Sequence, residues 1–74
     1  MIGLTIQERM LVGVVQTEKL LPRLTDAAVH ERFRAECEAL LVRVRAMTGD
    51  EDEARAVNET MMRLHVAMLQ VATR

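Results

Sequence analysis

Cys37, His30, His65 and the acidic run Asp50-Glu51-Asp52-Glu53 are the residues whose types could carry chemistry in this 74-residue chain. A helical metal centre gathers such groups at fixed spacings. Di-iron bundles, for example, use Glu-x-x-His on two helices with inward Glu from two more. Neither histidine here has a Glu three residues before it. His30 is followed directly by Glu31, and sequence neighbours on a helix point about 100° apart. His65 borders an apolar stripe beside Leu64 and Met68. Both read as edge or interface residues, and no metal site is expected. Cys37 lies mid-segment between Glu36 and Glu38. Burial and nearby carboxylates both raise a thiol pKa, whereas a reactive thiolate needs the opposite surroundings. Cys37 therefore reads as a small core hydrophobe. With no Gly-rich phosphate loop, no nucleophile elbow and no zinc spacing, neither a catalytic residue nor a cofactor is expected, and the chain does not read as an enzyme.

The acidic run has a local explanation. Asp50 is an N-cap type and Glu53 follows at capping-box spacing, so acids at 50–53 complement the positive end of a helix dipole. That places the run at the start of an element and prompts the same question of the rest. Thr5-Ile6-Gln7-Glu8 is another capping box, opening helix A, which is expected to run over about 5–21 until Pro22 stops it. Thr25 and Asp26 open helix B, about 26–47, and Gly49 is expected as its left-handed C′ residue. Helix C follows over about 51–73.

The apolar periods agree. Helix B carries Val29, Phe33, Cys37, Leu40, Val44 and Met47; helix C carries Ala54, Val57, Met61, Leu64, Met68 and Val71. Spacings alternating between 3 and 4 are the seams of packed helices. The short connection makes B and C an antiparallel hairpin, so the expected fold is an all-α, three-helix single domain spanning residues 1–74. Exposed pairs at i,i+4 are expected between Arg32 and Glu36, Arg34 and Glu38, Glu51 and Arg55, and Glu59 and Arg63.

Composition bounds the task. Half of the residues are hydrophobic and 28% charged, too apolar for a disordered chain. No uncharged run approaches the roughly 20 residues of a membrane span. Charged residues flank Met10–Thr17, which is wrong for a signal peptide. The net charge of -1 gives no basic field for nucleic acid or anionic membrane. One cysteine permits no intrachain disulfide and favours a reducing, cytoplasmic setting.

The apolar residues exceed what two seams need. Met10, Leu11, Val12 and Val15 make the middle of helix A apolar nearly all round, so it is expected to be buried on all sides. Met62, Val66 and Leu69 form a second ridge on helix C, away from its main seam. These seven residues are the candidate interface. The expected function is protein–protein interaction, as an adaptor, co-chaperone or inhibitor, with a second copy or a larger protein as partner and the chain acting as an oligomer. A dimeric DNA-binding regulator is the alternative, since the loose alternation over Met1–Gln7 resembles the first strand of a ribbon-helix-helix repressor. The segment Leu24–Arg74, a helix, a Thr48-Gly49-Asp50 turn and a second helix with Ala-, Leu- and Met-rich seams, also resembles the small YscE/PscE-type co-chaperones of type III secretion. That resemblance implies a helical hairpin holding the chaperone of a needle subunit.

Overall fold

The computed structural model describes residues 3–73. Three helices, α1 (Ile6–Glu18), α2 (Ala27–Arg45) and α3 (Glu51–Ala72), and one 3-10 turn at Leu21–Arg23 make up the fold. No strand occurs among the described residues, and the chain is all-α.

Local chemistry sets the boundaries. The Thr5 hydroxyl accepts from the Glu8 amide and the Glu8 carboxylate accepts from the Thr5 amide, both at 3.1 Å. α1 stops at Glu18 rather than at Leu21. Pro22 has no amide hydrogen to offer the Glu18 carbonyl, and its ring would press on that carbonyl. The chain tightens instead: Leu20, Arg23 and Leu24 donate to Thr17, Leu20 and Leu21, three residues back. Asp26 caps α2 by accepting from the Val29 amide at 3.0 Å. α2 ends at Arg45, before Met47. Gly49 does adopt a positive φ, +93°, but within the connection to α3 and not as the C′ residue.

A side chain from far away closes that end of α2. Gln7 Nε2 donates to the carbonyls of Val44 and Arg45, each at 3.1 Å. Asp50 accepts from the amides of Asp52 and Glu53 at the start of α3. Glu53 does not return the bond to Asp50; it accepts from the Thr48 amide at 3.1 Å and ties down the connecting loop. Of the expected surface pairs, Arg55 meets Asp52 at 3.6 Å and not Glu51, while Arg32–Glu36, Arg34–Glu38 and Glu59–Arg63 form as spaced.

The core draws on all three helices. Phe33, Cys37, Leu40 and Val44 of α2 and Val57, Leu64 and Met68 of α3 are buried. α1 adds Val14 and Thr17, both fully enclosed, and Leu24 fills the corner after the 3-10 turn. α1 packs on both α2 and α3, more extensively than those two pack on each other. It is thus the wedge of its own protomer's core. Its middle is not buried on all sides, however: Val12 and Val15 are each 48% exposed. The molecule measures 38 × 25 × 15 Å, and its radius of gyration is 12.9 Å. A compact chain of this length would have about 11 Å, so the bundle is flattened and open. Among the described residues, no helix is long and apolar enough to cross a membrane.

Candidate interaction surface

A close contact between α1 and α3 at Gly13 shapes the candidate surface. A Cβ on Gly13 would lie 2.5 Å from Met61 Sδ and 2.6 Å from its Cε. The thioether tip of α3 therefore sits where any other residue of α1 would carry a side chain. One turn further on, Thr17 Oγ1 lies 3.0 Å from both the Gly13 carbonyl and His65 Nδ1. The hydroxyl has one hydrogen; when it donates to Gly13, the ring nitrogen must be the donor to Thr17. This pairing satisfies the one buried polar side chain of α1.

Above the Gly13–Met61 contact runs a shallow groove of about 240 Å³ between α1 and α3, lined by Gly13, Gln16, Thr17, Met61, Met62, His65 and Val66. No acid, lysine or arginine lines it. Met62 and Val66 stand on its rim, 58% and 50% exposed. Beside them a second hollow is lined by Met62, Arg63, Val66, Ala67 and Gln70.

The seven candidate interface residues separate on this geometry. Met62 and Val66 share the groove. Val12 and Val15 are exposed on α1 but do not line it. Leu69 is half-buried. Met10 and Leu11 are half-buried and rest on the protomer's own core. Sequence reasoning missed Gln16, Thr17 and the role of Gly13. The glycine was the available signal, because Gly within an otherwise apolar helix usually marks a close packing contact.

Cys37 is 1% exposed, and its thiol is pushed up to about 11 by burial and then by the carboxylates of Glu18 and Glu36. Glu18 comes from α1, and it acts on the thiol where Glu38 was expected to. Glu38 is held instead by Arg34 at 2.8 Å. Arg34 also grips Glu31 through two bonds of 2.8 and 2.7 Å, which holds the Glu31 carboxyl below its ordinary range. Among the described residues no three His, Cys, Asp or Glu side chains gather around a possible ion position.

The strand expected of a ribbon-helix-helix protein falls partly on Met1 and Ile2, outside the described residues. Ile6 and Gln7, at its other end, belong to α1. No protein-family model matches the chain, and neither a curated protein nor a solved structure matches it.

Proposed function

We propose that the protein is a small helical interaction module, an adaptor, co-chaperone or inhibitor, that works by burying the α1–α3 face against a second copy of itself. The observation that carries this reading is the uncharged groove with half-exposed Met62 and Val66 on its rim. Flexible thioethers suit a surface that must adapt to another shape. A groove lined by no acid, lysine or arginine can meet its own copy across a two-fold axis without like-charge repulsion inside the contact. The accessible surface supports the same reading. It is 5259 Å², against roughly 4,600 Å² for a compact monomer of 8.4 kDa. The excess approaches the roughly 800 Å² that one partner contributes to a standard interface.

The same proposal takes α2 and α3 as an antiparallel hairpin. Gln7 at the start of α1 reaches the end of α2, while Gly13 and Thr17 meet Met61 and His65 in matching order along α3. Such a hairpin presents α1 as the third helix and leaves its outer face, with the ridge of α3, free for a partner.

Val66→Glu tests the reading by circular dichroism and light scattering. Retained helicity with loss of a wild-type dimer is expected. Loss of helicity at every concentration would place Val66 in the core. Retained helicity with unchanged assembly would remove this face as the interface.

A further inference from the structure

The opposite side of α3 carries a second and larger groove, of about 480 Å³, between α2 and α3. Its floor is Phe33, Leu40, Leu64 and Ala67, and three arginines, Arg32, Arg43 and Arg63, stand on its rim with a single acid, Glu36. We infer that this groove docks an acidic amphipathic helix of a partner protein, with the partner's apolar stripe on the floor and its carboxylates on the three arginines. The inference concerns a different face from the proposed self-association and does not rest on it.

Charge and length select this occupant. Two of the arginines come from α2 and one from α3, so the fold assembles a basic rim that no single helix carries. Arg32 lies 3.8 Å from Glu36 and Arg63 lies 3.8 Å from Glu59; both arginines and Glu59 are largely exposed, and Glu36 is about half exposed. Pairs this long and this exposed bind weakly and exchange readily for a better acceptor. Arg34, on the far flank of α2, shows the contrast: three bonds of 2.7–2.8 Å to Glu31 and Glu38 already neutralise it. Arg43 has no ion pair among the described residues. The Arg32 guanidinium also lies over the Phe33 ring, 5.8 Å from its centroid, at the groove edge. A guanidinium fork so placed matches a carboxylate in two-point geometry.

From Arg32 to Arg43 the rim covers about 17 Å of helix, or roughly three turns. A partner helix of that length places apolar residues at i, i+3 or i+4 and i+7 along the floor. With three arginines and one glutamate on each rim, a second copy seated face to face would bring six guanidiniums against two carboxylates, which disfavours self-association here. The chain has no Trp or Tyr and one Phe, so the groove also lacks the stacking platforms of a single-strand nucleic-acid site.

The test uses the full chain and two labelled synthetic probes, read by fluorescence anisotropy. Both are helical peptides with the same leucine stripe, one flanked by Glu and the other by Lys. The Glu-flanked peptide should bind about tenfold or more tighter, with affinity falling as salt rises. Arg43→Glu combined with Arg63→Glu should weaken that binding about tenfold and improve the Lys-flanked peptide, while circular dichroism stays that of wild type. Val66→Ser, which adds no charge beside Arg63, should leave it unchanged, which separates this groove from the α1–α3 face. Equal binding of the two probes, or binding indifferent to the arginine reversals, would overturn the inference. So would preferential capture of a duplex or single-stranded oligonucleotide, or absence of binding to either peptide.

Discussion

At the scale of single residues, burial decides what each polar or reactive group can do. Cys37 is the clearest case. Its raised pKa means that the folded state favours the neutral thiol over the thiolate. The stability linked to that preference is whole below the ordinary value of 9.0 and is lost as pH climbs through about 11. No tyrosine is present to titrate in the same window. Wild type should therefore lose melting temperature across this range while Cys37→Ala does not, and a thiol reagent should react with the native protein far more slowly than with the unfolded chain. Native and unfolded reactivity that matched would show the thiol to be open to solvent. Glu8 works in the other direction. Bonds from Thr5 hold its carboxyl below the usual 4.5, so the capping box stabilises the fold above that value and fails on acidification. Gly13 offers a steric test. Gly13→Ala gains about 0.8–1.0 kcal/mol of helix propensity, and the Met61 tip it displaces is flexible, so urea melts should show a small net change. Gly13→Val adds branched bulk that a moving thioether cannot clear, and should cost about 1–3 kcal/mol.

Helices show how far the sequence reads. Local signals carried over well, because caps and breakers act within a few residues: Thr5, Asp26 and Asp50 cap the three helices, and Pro22 ends α1, although a turn earlier than its position suggests. The α2 and α3 seams also read correctly, since a period near 3.6 is itself the record of which face is buried. Leu40→Ala and Leu64→Ala should each cost about 2–5 kcal/mol by opening a cavity in that core, whereas Arg34→Ala should leave the midpoint close to that of wild type despite its three bonds, because all are exposed. Chemical denaturation compares them, and similar midpoints for all three would sink the seam assignment. What the sequence hid were the meetings between helices. Nothing local tells Gln7 that it will bond Val44, or Glu18 that it will sit near Cys37, and no single-helix pattern sets Arg63 beside Arg32 and Arg43. The apolar middle of α1 misled for a related reason. Periodicity reports how many faces are apolar, not how many neighbours the fold supplies to cover them.

Taken whole, the molecule is a flattened wedge with two grooves on opposite sides of α3. One is uncharged and the other basic at its rim, so the two faces should select different company. A chain this short buries only about 60% of its unfolded surface, and covering an apolar face in a dimer adds to the little that remains. Melting temperature should therefore rise with protein concentration, alongside a scattering mass above 8.4 kDa. A single 8.4 kDa species with the same melting temperature at every concentration would refute self-association. Finally, the Gln7 amide spans 37 residues of chain to satisfy the last carbonyls of α2. The first turn of one helix is thereby part of the last turn of another. In hydrogen-exchange experiments the amides of both turns should open together, with one shared protection factor, and Gln7→Ala should divide them into two independently fraying ends.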